Sequence, residues 1–417
     1  MAVSLTITGI TYSAELVIAE HWVGGWATAP EDLRSVENDI AFGGKASHQS
    51  LNNQTIRMVI HTTLPGKRVR LRFDNRYGET DLSIDAASVG LTSHDASLRR
   101  PPVAITFNGE RSVKIAAATN VVSDPVNLAV GANEALSVSA FFDRITSIST
   151  SHSIDSIAGT SYIAVGDSTM DVEGHAYVSR TIGWDFLDAV DVDTSMTAFS
   201  IVLLGDSITD GYGLSVDKGQ RWSDCLAARI RKSDVPASVL NLGISGNRVL
   251  PSNMNSGQSG DPGRIFGASA LSRFDHDVLD QSEVRFLFIL EGINDIGIAS
   301  PEVTADQIVS GLRLLVARAH EHGIRVYGST LTPALGTAGY DQTGGYTLAK
   351  EAKRVAVNDA IRNLMIFDAV VDFDHIVRDA RAPAHWRNGL SVDELHPNLS
   401  ASRLMCRSVP LDLFMSP

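Results

Sequence analysis

Short runs of alternating apolar and polar residues fill the first half of the chain. Between residues 68 and 73 three arginines alternate with valine, leucine and phenylalanine, a period of two typical of a half-buried strand with an exposed basic face. Similar runs occur at 54–62, 82–91, 103–107, 111–115 and 136–142. Asn108-Gly109, between two of them, predicts a type I′ hairpin turn. The pattern as a whole predicts an antiparallel β-sandwich of the jelly-roll kind.

From residue 198 onward the pattern changes to a longer period. Apolar runs at 200–204, 237–242, 284–290, 324–329 and 369–373 alternate with helical stretches, which predicts βαβ units and a mainly parallel sheet. The clearest helix is 304–322, where Thr304 and Gln307 form a capping box. Further helices are predicted within 347–365 and 399–415. Right-handed crossovers bring the loops after these strands to one edge of the sheet.

A chain of 417 residues exceeds what one hydrophobic core usually spans. We therefore predict a β-rich domain with its lead-in and linker over residues 1–197, and an α/β domain over residues 198–417. The polar stretch 191–197 is predicted to be the linker between them.

The composition of the chain limits the kinds of molecule that the protein is expected to bind. Hydrophobic residues at 44% and charged residues at 20% are typical of a soluble globular protein, and no apolar run approaches the length of a membrane span. A formal net charge of −13 argues against nucleic acid as a partner, because a phosphate backbone would be repelled. The first twenty residues lack the basic and apolar parts of a secretory signal, so the protein is either intracellular or has lost a leader.

The two cysteines, Cys225 and Cys406, each lie in a segment with the pattern of an amphipathic helix. This favours buried free thiols over a disulfide or a metal site.

A candidate nucleophile follows the apolar run that ends at residue 204. Gly205-Asp206-Ser207 would place the serine hydroxyl at a strand-to-helix corner on the carboxyl edge of the sheet, where open α/β proteins bind their ligands. Taken alone, the tripeptide is more typical of an ordinary turn. A second Gly-Asp-Ser, ending at Ser168, lacks a helical stripe after it and is not favoured.

Three later stretches complete a set of four blocks. Asn-Leu-Gly-Ile-Ser-Gly-Asn occupies 241–247, Glu-Gly-Ile-Asn-Asp occupies 291–295 and Asp-Glu-Leu-His-Pro-Asn occupies 393–398. In order and spacing the four blocks resemble those of the SGNH hydrolases, the GDSL-type esterase and lipase family, over roughly half of the chain. The resemblance implies a flavodoxin-like three-layer α/β fold for the second domain and a serine esterase activity.

The blocks supply the groups that an activated serine needs. A serine hydroxyl requires a base to take its proton, and His396 is the predicted base, with Asp393 three residues earlier to orient the imidazole. The resemblance implies that the oxyanion hole consists of the backbone N–H groups of Ser207 and Gly243 and the side-chain amide of Asn294. The acidic neighbours Asp206 and Asp295 are predicted to hold loops by hydrogen bonds.

Other candidate sites are better explained by structure. The arginines at 68, 70 and 72 could receive acidic groups, but a strand face near acidic neighbours is the commoner explanation. Trp22 and Trp26 could stack on a sugar ring, although packing is favoured. Asp372, Asp374 and His375 are predicted to be strand-end and turn residues rather than metal ligands. No phosphate loop or dinucleotide fingerprint is present, so no cofactor is expected.

Two irregular stretches, 250–267 and 332–346, follow strands or blocks at the predicted catalytic edge of the sheet. They could form the walls of the active site or a lid over it. Neither is rich in large apolar residues, which favours an open site for esters with short acyl groups. The alternative substrate is an acetylated glycan, with the sandwich domain helping to hold the sugar. A non-catalytic carbohydrate-binding protein is the third possibility, and the complete set of blocks argues against it.

Overall fold

The computed structural model of the protein describes residues 20–33, 50–152, 159–250, 266–298, 302–341 and 344–415. Within these residues, strands dominate as far as residue 193, and strands alternate with helices afterwards. No helix in the described part of the chain has both the length and the apolar content that crossing a membrane requires.

The first part of the chain, called here the β-rich region, pairs its strands antiparallel. One described sheet has the order β1-β18-β5-β11, and a larger one has the order β16-β15-β4-β12-β7-β8 with β9 beside β7. An antiparallel β-rich region is therefore confirmed, whereas the jelly-roll sandwich stays a prediction. The described strands are β1 (Trp22–Ala27), β2 (Glu31–Asp32), β3 (Ser50–Leu51), β4 (Gln54–His61), β5 (Arg68–Asp74), β6 (Leu82–Ile84), β7 (Ala86–His94), β8 (Ser97–Leu98), β9 (Val103–Ala104), β10 (Val113–Ile115), β11 (Asn120–Val122), β12 (Ala135–Phe142), β13 (Thr146–Ser147), β14 (Thr150–His152), β15 (Thr160–Val165), β16 (Tyr177–Ile182), β17 (Trp184–Asp185) and β18 (Leu187–Asp193).

Two of the predicted strands differ from those observed. The run 82–91 is split between β6 and β7 at Asp85, whose N–H is donated to the carbonyl of Phe141. The run 103–107 is a strand only at β9, and Phe107 pairs with Glu110 across a tight turn. Asn108 and Gly109 in that turn have φ values of 52° and 84°, as the type I′ prediction requires.

The second part of the chain, called here the α/β region, contains a parallel sheet of order β20-β19-β21-β22-β23 in the described residues. The five predicted strands are thus confirmed within one or two residues at each end, and the three-layer arrangement stays a prediction. The strands are β19 (Phe199–Gly205), β20 (Ala237–Gly243), β21 (Val284–Leu290), β22 (Arg325–Ser329) and β23 (Ala369–Val371). The helices are α1 (Ser207–Asp210), α2 (Trp222–Ile230), α3 (Ala270–Phe274), α4 (Ile293–Gly297), α5 (Ala305–Glu321), α6 (Leu348–Asn363), α7 (Phe373–Val377) and α8 (Leu399–Ser408), with a π-helical turn at Asp275–Leu279 and a 3₁₀ turn at Leu411–Phe414.

Helix boundaries follow local chemistry. The capping box predicted for α5 is present, because Thr304 Oγ1 accepts from the Gln307 N–H and the Gln307 side chain accepts from the Thr304 N–H. The last helix ends at Ser408 rather than continuing to residue 415. Pro410 explains this early end, since the residue before a proline is disfavoured in helical geometry.

The prediction of free thiols is wrong. Cys225 on α2 and Cys406 on α8 form a disulfide, with their Cα atoms 6.0 Å apart. The two helices lie side by side although 181 residues separate the cysteines along the chain, and spacing alone could not reveal that contact.

The stretch predicted as the linker is partly strand. Strand β18 continues to Asp193, and its three carboxylates face the arginines of β5, with a register shift between Leu187 and Ala189. Three pairs result, namely Arg68 Nε to Asp193 at 3.0 Å, Arg70 Nε to Asp191 at 2.8 Å and Arg72 Nε to Asp188 at 2.9 Å.

The expectation of an exposed basic face on β5 is wrong at its end, since Arg72 is buried. Arg72 Nη1 donates to the carbonyl of Asp280 in the α/β region. The β5 arginines therefore neutralise acidic neighbours, as predicted, and one of them joins the two regions.

The tryptophans near the start of the chain pack against protein groups. Trp26 is buried, with its ring edge-on to Trp184 at a centroid distance of 4.8 Å. Trp22 receives the guanidinium of Arg70 over its ring at 4.9 Å. The packing interpretation is confirmed for Trp26, whereas Trp22 is only half-buried and contacts charged side chains.

A buried charged cluster also joins the two regions. His276 Nε2, from the α/β region, lies 3.1 Å from Asp74 Oδ2 and 3.0 Å from Asp188 Oδ2 of the β-rich region. Burial and the charge of Asp188 raise the pKa of Asp74 to about 8. The two regions thus share buried ionisable groups at their junction.

Candidate active site

The candidate nucleophile lies at the corner between β19 and α1. Asp206 caps the helix, because its Oδ1 accepts from the Ile208 N–H at 2.9 Å. Ser207 is the first residue of α1, so its N–H has no partner in the helical ladder. The turn needs Gly205, since a Cβ there would lie 2.7 Å from the carbonyl oxygen of Leu290. Gly211, with φ of 112°, ends the helix one turn later.

The structure brings together Ser207, His396 and Asp393. The serine Oγ is 2.8 Å from His396 Nε2, and His396 Nδ1 is 2.7 Å from Asp393 Oδ2. Ser207 and His396 are both buried, although 189 residues separate them along the chain. In the neutral imidazole, Nδ1 donates to the carboxylate and Nε2 presents its lone pair to the hydroxyl.

Backbone contacts hold the histidine loop. Asp393 Oδ1 accepts from the N–H groups of Leu395 at 3.1 Å and His396 at 2.8 Å, while the Ser391 hydroxyl donates to the His396 carbonyl at 2.8 Å. Burial raises the pKa of Asp393, but the hydrogen bonds and charge of His396 outweigh it and hold that pKa below its ordinary value. The carboxylate is therefore ionised at neutral pH.

The Asn294 amide is fixed from both ends. Its Oδ1 accepts from the Tyr340 hydroxyl at 2.9 Å, and its Nδ2 donates to the carbonyl of Asn247 at 3.0 Å. The second contact sets which end of the amide is the donor, because a carbonyl oxygen can only accept, and a second Nδ2 hydrogen is available to a substrate. Sequence reasoning missed Tyr340, which lies in the stretch predicted as a wall of the site.

Gly243 is closely packed against the nucleophile helix. A Cβ at this position would lie 2.4 Å from the backbone nitrogen of Asp210. Its N–H, however, is donated to Asn241 Oδ1 at 3.0 Å. To serve an oxyanion, this N–H would have to be shared with or released by Asn241, so the role predicted for Gly243 stays a prediction.

Three buried acids lie behind the candidate nucleophile. Asp295 holds a loop, as predicted, because it accepts from the N–H groups of Val249 at 2.7 Å and Leu250 at 3.1 Å, whereas Asp206 caps α1. Burial raises the pKa of Asp206 to about 7 and that of Asp295 to about 6, and it places the pKa of Glu291 well above its ordinary value. The three carboxyl groups together therefore retain protons near neutral pH.

Arg273 ties the strand ends together and was not predicted. Its guanidinium donates to the carbonyls of Leu242 at 2.7 Å and Gly205 at 3.0 Å, and to Asn247 Oδ1 at 3.0 Å. These contacts join β19, β20 and the loop beside Asn294. A lone arginine in a helical run carries no sequence signal for such a role.

Tyr212 forms an exposed wall beside the histidine. Its ring centroid lies 4.3 Å from that of His396, and the residue is 37% exposed. Its position five residues after Ser207 was the only available clue to this contact.

The remaining candidates lie elsewhere. Ser168 belongs to the β-rich region, where its N–H is donated to Thr55 Oγ1 and its carbonyl accepts from the Tyr177 hydroxyl. Asp372 directly follows β23, as predicted, but Asp374 and His375 lie in helix α7 rather than in a turn. Both aspartates pair with arginines. Most of the predicted wall 250–267 lies outside the described residues, and so do residues 342–343 of the other wall.

Comparison with known proteins identifies the α/β region. Residues 203–404 match the family described as GDSL-like Lipase/Acylhydrolase. No curated protein matches the chain. Among solved structures, a GDSL-like lipase from Bacteroides thetaiotaomicron is 16% identical, with a TM-score of 0.37, over 52% of this chain and 87% of that one. The acetylxylan esterase Axe2 from Geobacillus stearothermophilus is 18% identical, with a TM-score of 0.36, over 52% and 95%.

Proposed function

Residues 203–404 match the GDSL-like lipase/acylhydrolase family, and from this premise we propose that the protein is a serine esterase that hydrolyses carboxylic esters through an acyl-enzyme on Ser207. The observation that carries the proposal is the chain of two short contacts, 2.8 Å from Ser207 Oγ to His396 Nε2 and 2.7 Å from His396 Nδ1 to Asp393 Oδ2.

In the first half of the reaction Ser207 Oγ attacks the ester carbonyl carbon while its proton passes to His396 Nε2. The carbonyl oxygen becomes an oxyanion in the tetrahedral intermediate. Collapse of this intermediate breaks the bond to the alcohol oxygen, which takes the proton from His396 and leaves as the free alcohol. The acyl group then remains on Ser207 as an ester.

In the second half His396 takes a proton from water, and the resulting hydroxide attacks the acyl carbon. The second tetrahedral intermediate breaks the bond to Ser207 Oγ, which recovers its proton from His396, and the carboxylic acid is released. Asp393 stabilises the imidazolium that forms in each half and holds the ring in the tautomer that each step needs.

The developing oxyanion needs donors that are fixed before the reaction. The Ser207 N–H at the start of α1 and the Asn294 amide, oriented by Tyr340, are suited to this role. Gly243 is the third proposed donor, on condition that its N–H is shared with Asn241. Loss of one such donor typically lowers turnover by about 100- to 1,000-fold.

We expect a preference for short acyl groups. The described residues of the 332–346 stretch turn their two tyrosines inward, with Tyr340 and Tyr346 stacked at 5.9 Å and both buried. Large apolar side chains from this stretch are therefore used for packing rather than for lining a slot for a long acyl chain.

The test is a panel of p-nitrophenyl esters, from acetate to palmitate, with acetylated xylan as a glycan substrate, on wild type and Ser207→Ala. We expect hydrolysis that falls with acyl length in the wild type and is abolished in the variant. A fluorophosphonate probe should label Ser207 in the wild type. A folded wild type that is neither labelled nor active on any ester would refute the proposal.

A further inference from the structure

A histidine of the β-rich region reaches the nucleophile helix. His152, the last residue of β14, is buried, with Nδ1 2.7 Å from the carbonyl oxygen of Ala29 and Nε2 3.1 Å from Asp210 Oδ1. Its ring also stacks on Trp184 at a centroid distance of 5.9 Å. Asp210 is the last residue of α1, three residues after Ser207, so this contact joins the two regions at the candidate active site.

Asp210 also holds the neighbouring loop. Its Oδ2 accepts from the Ser245 hydroxyl at 2.8 Å, and its N–H is donated to the carbonyl of Asp206 at 2.9 Å. Ser245 lies two residues after Gly243, in the second of the four blocks. One carboxylate therefore links the helix of the nucleophile, the loop after β20 and the β-rich region.

The protonation of His152 follows from its two partners. A carbonyl oxygen can only accept, so Nδ1 donates to Ala29, and the carboxylate of Asp210 accepts from Nε2. Burial lowers the pKa of His152, but the charge and hydrogen bond of Asp210 and the charge of Glu31 outweigh it and raise that pKa to about 9. The ring is thus an imidazolium at neutral pH and has no lone pair for catalysis.

Helix α1 has four residues and cannot hold itself in place, because a single helical turn is unstable without contacts to other elements. Asp206 caps its first turn, and Asn241 Nδ2 donates to the carbonyl of Thr209 at 2.7 Å. The link to His152 adds an anchor from outside the α/β region.

We propose that His152 is a positioning residue, through which the β-rich region holds α1 and the loop after β20 in the alignment that Ser207 needs. The inference rests on the proposed role of Ser207. It makes the β-rich region a part of the catalytic unit, since a small displacement of the nucleophile is costly even when the triad residues are intact.

The test compares His152→Ala, His152→Gln and Asp210→Asn in the full chain, with His21→Ala as the matched control. His21 is also a buried histidine at the junction, but its Nε2 contacts the carbonyl of Ala198 rather than α1. We expect kcat on p-nitrophenyl acetate to fall about 10- to 100-fold in His152→Ala, with KM changed far less. Glutamine can donate to Asp210 but not to Ala29 at the same time, so His152→Gln should recover part of the loss.

The rate of fluorophosphonate labelling at Ser207 should fall in parallel with kcat, and His21→Ala should leave both near the wild-type values. Combining His152→Ala with Asp210→Asn should lower kcat by less than the product of the two single effects, because both remove the same contact. If His152→Ala folds, by circular dichroism and thermal unfolding, and keeps kcat within about twofold of wild type, the inference is wrong. A wild type without label or activity would instead refute the proposed function.

Discussion

Two carboxylate–imidazole pairs flank the nucleophile helix, and they differ in what the second ring nitrogen faces. In the pair of Asp393 and His396, the second nitrogen is 2.8 Å from the hydroxyl of Ser207. In the pair of Asp210 and His152, it is 2.7 Å from the carbonyl of Ala29. A hydroxyl can give a proton, whereas a carbonyl can only accept a hydrogen bond.

The difference shows that residue types alone do not define a catalytic base. The first histidine can take and return a proton at Nε2, because that nitrogen has a lone pair directed at a donor. The second has a hydrogen on both nitrogens and can only hold its neighbours in place. The first pair therefore belongs to the proposed reaction, and the second to the alignment of the groups that react.

The largest effect should come from the first histidine. We expect His396→Ala to lower kcat on p-nitrophenyl acetate by about 10⁴- to 10⁶-fold, because His396 Nε2 is the base in contact with Ser207 Oγ in the described part of the chain. The loss should exceed that of His152→Ala by at least about 100-fold. The measurement is steady-state hydrolysis beside thermal unfolding, and equal losses in the two folded variants would remove the distinction between the pairs.

The carboxylate of the first pair should come next. Asp393→Asn keeps the size of the side chain but offers an amide to Nδ1, which favours the wrong tautomer, and we expect kcat to fall by about 10⁴-fold. Asp379→Asn is the control, since Asp379 also accepts backbone N–H groups in a loop but lies outside the site. A modest loss in Asp393→Asn, close to that of the control, would argue that the imidazole is oriented by other contacts.

A smaller effect should follow loss of the second positioning residue, Tyr340. Tyr340→Phe removes the donor to Asn294 Oδ1 while keeping the ring, and we expect kcat to fall by about 10-fold, less than in Asn294→Ala. Tyr346→Phe is the matched control, because its ring stacks on Tyr340 and its hydroxyl contacts Glu351 instead. An unchanged kcat in folded Tyr340→Phe would show that the amide is held without the tyrosine.

The smallest expected effect is a change of thermal stability with pH. The folded-state pKa of His152, about 9, is above the ordinary value of 6.5, so the stability it contributes is fully present below pH 6.5 and is lost as pH rises through 9. The unfolding temperature of wild type should therefore exceed that of His152→Gln most at pH 6 and least above pH 9. A gap that stays constant over this range would contradict an ionised His152.

The sequence predicts the elements whose patterns are local. Strands β19 to β23 were predicted because continuous apolar runs mark buried parallel strands, and the four blocks pointed to Ser207, Asn294, Asp393 and His396. His152 was missed because its partner lies 58 residues further along the chain and no motif joins them. The contact between Asn241 and the Gly243 N–H was missed for a different reason. The spacing of the four blocks identifies Gly243, but it does not show which acceptor the N–H of that glycine faces.

The disulfide between Cys225 and Cys406 closes a covalent ring of the chain, and most of the proposed catalytic residues lie within it. Asn294, Asp393 and His396 lie inside that ring, and Ser207 lies outside it. In the chain-entropy account, closing so long a loop lowers the conformational entropy of the unfolded state and destabilises that state by on the order of 5 kcal/mol. The bond thus fastens α8, the helix that follows the histidine, to α2, the helix that follows the turn of the serine.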